Sequence, residues 1–132
     1  MAKAKIVAID DEVDFINMLQ DYFVPRGYDM EVALRGARGI EIIKETKPDI
    51  ILMDLKMPGI DGDEVLTLLK TMTPSPKVIF VTAYDDGGKT KARLLKMGAY
   101  AYFDKPIASL KELEEVITRA TQGQEYGKNA GV

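Results

Sequence analysis

The sequence predicts an α/β domain: a five-stranded parallel sheet, doubly wound, with helices on both faces. Three observations carry that expectation. Five short apolar runs recur along the chain, each followed by a stretch whose apolar residues fall at helical spacing. Uninterrupted apolar stretches such as 50–53 and 78–81 are only four residues long, which suits buried strands and no membrane span. The chain has 132 residues, 46% of them hydrophobic, enough for the core of a single compact domain.

The elements follow in order. Residues 5–9 are too brief for a helix and predict a buried strand, and 12–24 form a helix through Phe15, Ile16, Leu19, Tyr22 and Phe23, stopped by Pro25 and Gly27. A strand over 28–33 and a helix over 37–45 come next, the helix ending before Pro48. Residues 49–54 are a second buried run, and 63–72 a Leu-rich helix closed by Pro74 and Pro76. A strand over 77–82, a basic amphipathic helix over 89–97 ended by Gly98, and a strand over 100–103 complete the alternation. Ser109-Leu110-Lys111-Glu112 is a capping box, opening a helix with Leu110, Leu113, Val116, Ile117 and Ala120 on one side. The domain is expected over 4–120, with 121–132 as a flexible tail or the start of a linker.

Composition excludes several chemistries. The absence of Cys removes disulfides, zinc thiolates and thiol catalysis, and the absence of His removes Ser-His-Asp and Cys-His mechanisms. Eighteen Lys+Arg against 21 Asp+Glu give a net charge of −3, which argues against nucleic acid as a direct partner. The start of the chain meets Asp10-Asp11-Glu12 after a very short apolar run, unlike a signal peptide, so a soluble, cytoplasmic protein without a membrane partner is expected.

In a sheet of this kind ligands bind at the carboxyl ends of the strands. The first strand ends in Asp10-Asp11, the third in Asp54, the fourth in Thr82 and the fifth in Asp104-Lys105-Pro106, while the second, at the sheet edge, ends in no comparable group. Singly, each of these is an ordinary cap or turn residue. Jointly they place three carboxylates, a hydroxyl and an ammonium at one edge. Two carboxylates about 4 Å apart repel by about 4 kcal/mol at an effective dielectric near 20, so such a group stays ionised only around a cation. Oxygen-only ligands select Mg²⁺, and with Lys105 and Thr82 they make a cradle for a phosphoryl group, in which a central carboxylate can act as nucleophile.

These residues resemble the receiver domain of bacterial two-component response regulators. The matching pieces are Ile9-Asp10-Asp11-Glu12, the run Met53-Asp54-Leu55-Lys56-Met57-Pro58-Gly59-Ile60-Asp61-Gly62, Val81-Thr82-Ala83 and Lys105-Pro106, over about residues 4–120. The resemblance implies the flavodoxin-like strand order 2-1-3-4-5 and a phosphorelay function. Asp54 would be the phosphoacceptor, with Thr82 bonding the phosphoryl group and Lys105 pairing with it. Mg²⁺ would be held by Asp10 (largely through water), by Asp11 and Asp54, and by the Lys56 backbone carbonyl. Thr82 and Tyr102 would form the switch, the Lys105–Pro106 bond would be cis, and Lys56 and Tyr84 would border the path of attacking water. Gly59 and Gly62 suit the tight turn before the third helix. The partners implied are a sensor histidine kinase or phosphotransfer protein, and an effector meeting the face of the fourth helix, fifth strand and fifth helix. The protein would be no enzyme beyond promoting its own phosphorylation and dephosphorylation, and a monomer.

Other classes fit less well. A flavodoxin-type carrier needs a phosphate loop where Asp10-Asp11-Glu12 would repel one. A dehalogenase-type phosphatase expects a second Asp where Lys56 stands. The alternative is a receiver-like interaction module working without phosphorylation, usually marked by loss of an acid, the Thr or the Lys; none is lost here. About a dozen residues after 120 leave no room for a DNA-reading module. A stand-alone receiver and a segment of a longer regulator or hybrid kinase both remain open.

Overall fold

The computed structural model describes residues 2–123. One sheet contains β1 (Lys5–Ile9), β2 (Asp29–Ala33), β3 (Ile50–Met53), β6 (Lys77–Thr82) and β7 (Ala101–Asp104), all parallel, in the order β2-β1-β3-β6-β7. This is the expected 2-1-3-4-5 order. The numbering is offset by a small antiparallel ribbon, β4 (Lys56–Met57) with β5 (Ile60–Asp61), which the sequence did not suggest. Gly59 turns that ribbon with φ of 83°, a conformation open to glycine without strain.

Alternation along the strands sends side chains to two cores. Ile6, Ala8, Ile50, Leu52, Ile79 and Val81 pack against Ile16, Leu19 and Phe23 of α1 (Val13–Phe23) and Leu113, Val116 and Ile117 of α5 (Leu110–Thr121). On the other face Val7, Ile9, Ile51, Met53, Val78 and Phe80 meet α2 (Gly36–Thr46), α3 (Gly62–Leu69) and α4 (Lys89–Lys96). Two glycines set the spacing there. A Cβ at Gly39 would lie 2.4 Å from Ile9 Cδ1, and one at Gly62 would lie 2.8 Å from the Phe80 ring. Gly62 is therefore a close-approach glycine rather than the turn residue the sequence suggested.

Boundaries moved for identifiable reasons. The first helix stops at Phe23, and Val24–Arg26 tightens into a 3₁₀ turn closed by Gly27 at φ 96°. The third helix ends at Leu69, short of the expected residue 72, because the Thr71 and Met72 N–H groups turn to carbonyls three residues back, Leu68 and Leu69. α5 opens with Ser109 Oγ accepting the Glu112 N–H at 3.1 Å, the forward half of the capping box. It runs through Thr121, the first residue of the expected tail; 124–132 lie outside the described residues.

Glu114 ties the α1–α5 layer together. Its two carboxylate oxygens accept the hydroxyls of Tyr22 and Tyr28, each at 2.9 Å. Burial opposes its charge, but these bonds hold the carboxyl below the ordinary glutamate value, while Tyr28, chiefly by burial and then by Glu114, is pushed up. A depressed carboxylate contributes stability above its unfolded pKa and loses it as pH falls through the folded one. Glu114→Gln is expected to flatten the acid limb of a stability–pH curve. An acid limb identical to that of the parent would refute the coupling.

Candidate functional site

Parallel register brings the carboxyl ends of β1, β3 and β6 to one edge. Ile9 pairs with Met53 and Met53 with Phe80, so Asp10 and Asp54 leave their strands side by side, and Thr82 stands two residues past Phe80. All three are buried, at 2%, 7% and 1% exposure. Each is fixed by the same local device, a side-chain oxygen accepting the backbone N–H two residues on. Asp10 Oδ1 takes the Glu12 N–H at 2.9 Å, Asp54 Oδ1 takes that of Lys56 at 3.2 Å, and Thr82 Oγ1 takes that of Tyr84 at 3.2 Å. Short polar side chains at strand ends make such turns readily, which is why these residue types occur there.

Lys105 enters from the end of β7, anchored by its N–H on the Thr82 carbonyl at 2.9 Å, and its bond to Pro106 is cis as the resemblance implied. Its ammonium lies 2.8 Å from Asp10 Oδ2, 2.5 Å from Glu12 Oε1 and 3.3 Å from Asp54 Oδ2, above the Phe15 ring at 4.5 Å. Burial opposes its charge, yet the bonds to Asp10 and Glu12 outweigh that and hold the ammonium well above the ordinary lysine value. Burial pushes the Asp10 carboxyl up from the usual aspartate range, against the opposing pull of Lys105 and the Glu12 N–H.

The structure thus brings together Asp10, Asp54 and Lys105, with Thr82 on the adjoining strand. Oxygens of Asp10, Glu12 and Asp54 lie within 4.8 Å of one another, a hard, oxygen-only set that fits a divalent cation such as Mg²⁺. Asp11 is not part of this convergence. The turn pinned by Asp10 leaves it exposed, lining a shallow cleft of about 450 Å³ with Leu34, Arg35 and Pro58. Glu12 is the member that sequence reasoning missed. It reads as a helix-start acid, and only the fold brings it to a lysine 93 residues away.

Lys56 supplies its N–H to Asp54, and its ammonium sits over the Tyr84 ring at 4.3 Å, the two residues lining a cleft of about 560 Å³ with Pro58, Thr90 and Arg93. Tyr102 is buried and donates its hydroxyl to the Tyr84 carbonyl at 3.0 Å, which links β7 to the loop after Thr82. Of the basic residues on α4, Lys89, Lys91, Arg93 and Lys96 are exposed, and Arg93 reaches across to an ion pair with Asp63 on α3.

Comparison with known proteins agrees with this geometry. The family model for the response regulator receiver domain matches residues 6–118. The sporulation initiation phosphotransferase F of Bacillus subtilis is 29% identical over 119 residues, covering 90% of this chain and 94% of its own. The regulatory protein AtoC of Escherichia coli is 32% identical over 124 residues, which is 94% of this chain but only 26% of that protein. Among solved structures, a CheY-like receiver domain protein from Methanospirillum hungatei superposes with a TM-score of 0.82 at 28% identity, covering 91% of this chain and 94% of that one. No helix among the described residues is long and apolar enough to cross a membrane.

Proposed function

From the premise that the chain belongs to the response regulator receiver domain family, we propose that it accepts a phosphoryl group on Asp54 and switches an output face in response. The observation that supports this best is the convergence of buried Asp54 and Asp10 on one ammonium, with Asp54 Oδ2 3.3 Å from Lys105 Nζ. Asp54 is the carboxylate central to the sheet edge and serves as nucleophile, and Lys105 balances charge on the phosphoryl oxygens. The Thr82 hydroxyl turns from the Tyr84 N–H to the phosphoryl group. Tyr102, bonded to the Tyr84 carbonyl, follows that loop, so the switch biases an existing equilibrium.

Mg²⁺, when bound, neutralises charge on the incoming phosphoryl group. Asp10, Asp11, Asp54 and the Lys56 carbonyl are its proposed holders. Asp10 already spends one oxygen on the Glu12 N–H and the other on Lys105, so it would act largely through water, while Asp11, exposed and outside the convergence, is the direct ligand that the resemblance implies. The donor is a sensor histidine kinase or phosphotransfer protein. The receiving effector meets α4, β7 and α5, where the α4 cations suit an acidic surface. The domain acts in the cytoplasm as a monomer, and its only chemistry is its own phosphorylation and dephosphorylation.

Intact-mass analysis with a small phosphodonor or cognate kinase tests the reading. One phosphoryl adduct is expected with Mg²⁺ and none after chelation. Asp11→Asn should raise the Mg²⁺ needed for half-maximal phosphorylation by about tenfold, and Asp10→Asn by less. Metal-independent transfer would overturn the assignment. The Lys56–Tyr84 contact borders the path of attacking water that the resemblance implies, so Tyr84→Ala should lose its phosphoryl group about two- to fivefold faster, the size of an exposed cation–π contact. Equal decay in the two proteins would remove that role.

A further inference from the structure

We propose that Glu12 is a positioning residue for Lys105, a carboxylate that occupies the ammonium until a phosphoryl oxygen takes its place. The inference rests on the phosphoryl-acceptor reading above and adds a competitor to it. An ammonium has three protons. Here three carboxylates take them: Asp10 at 2.8 Å, Glu12 at 2.5 Å and Asp54 at 3.3 Å, while the Phe15 ring lies 4.5 Å away. A phosphoryl oxygen that pairs with Lys105 must therefore displace one of them.

The three acceptors differ in what displacement costs. The Asp10 side chain is 3% exposed, so removing it from Lys105 strands a buried charge. Asp54, at 3.3 Å the longest of the three contacts, is the proposed acceptor and gives up its own charge to the bond it forms. The Glu12 side chain is 61% exposed and returns to water at little cost. Its backbone is meanwhile pinned, because its N–H is held by Asp10 Oδ1. Glu12 can swing away and return without moving the start of α1, where it makes no side-chain cap bond. Of the two acids that do not themselves take the group, the one with the shorter contact to Lys105 is thus also the one that yields more easily, which makes Glu12 a place-holder for the incoming group.

Two variants of the full chain test this. Glu12→Gln keeps the size and removes the charge; Glu12→Asp keeps the charge and withdraws it by one methylene. Beryllofluoride, a phosphoryl mimic, is titrated at saturating Mg²⁺ and followed by the Thr82 amide resonance, and the Lys105 ammonium is observed by ¹⁵N NMR. Both variants are expected to bind the mimic about fivefold more tightly, the size of an exposed ion pair, and to exchange the Lys105 ammonium protons faster than the parent does. Weaker or unchanged binding in Glu12→Gln overturns the proposal, weaker binding marking a metal ligand instead. Tighter binding in Glu12→Gln with parental behaviour in Glu12→Asp also overturns it, since only net charge would then matter. If the parent neither binds the mimic nor gains a phosphoryl group, the acceptor reading fails and this inference falls with it. If the parent does both, failure of the variants counts against Glu12 alone.

Discussion

Asp54→Asn protein given Mg²⁺ and a phosphoryl donor is expected to gain no mass under conditions in which the parent is fully converted. A carboxamide is no nucleophile towards phosphorus, and no other carboxylate of the site is placed as well. Asp10 has both oxygens committed and Asp11 stands outside the convergence. The variant should nonetheless fold. An asparagine Oδ1 still accepts the Lys56 N–H, and removing one of two neighbouring negative charges relieves Asp10, whose pKa Asp54 helps to raise. Stability is expected to stay within about 1 kcal/mol of the parent. A phosphoryl adduct on the variant would show that another residue accepts the group.

The largest effect on stability is expected at Phe23. Its ring is fully buried at the end of α1, edge-on to Tyr22 at 5.0 Å and to Tyr28 at 5.2 Å. Phe23→Ala removes that packing and leaves a cavity costing about 3–5 kcal/mol. Against a typical total of about 5–15 kcal/mol this is severe, and the melting temperature should fall by about 10–20 °C. Chemical denaturation with an unchanged m-value would measure it. A loss under about 1 kcal/mol would mean that the layer closes over the gap.

Most of the fold was legible because a doubly wound sheet announces itself twice, once in short apolar runs and once in helical spacing between them. Ile50–Met53 and Lys77–Thr82 are too short and too apolar to be anything but inner strands. What escaped was set by geometry without a local signature. The β4–β5 ribbon has two residues per strand, and the stop at Leu69 depends on how the last turn tightens. The site divides in the same way. Asp10, Asp54 and Lys105 were legible as strand-end residues, and the fold brings them together. Glu12 and Asp11 are neighbours in the same loop, and no spacing rule says which of them turns towards Lys105. The clamp of Tyr22 and Tyr28 on Glu114 joins residues 92 and 86 positions apart and lay equally out of reach.

The ammonium that balances the acids of β1 arrives 95 residues after Asp10 and 51 after Asp54. A chain growing from its N-terminus therefore carries its acids for most of its synthesis without their cation, and the edge that gathers them cannot close until β7 is laid beside β6. Contacts of such long sequence separation form late and slowly. In the reading proposed above, a half-folded chain would hold Asp54 without the ammonium that pairs with the phosphoryl group, so uptake of that group would double as a certificate that β7 is in place.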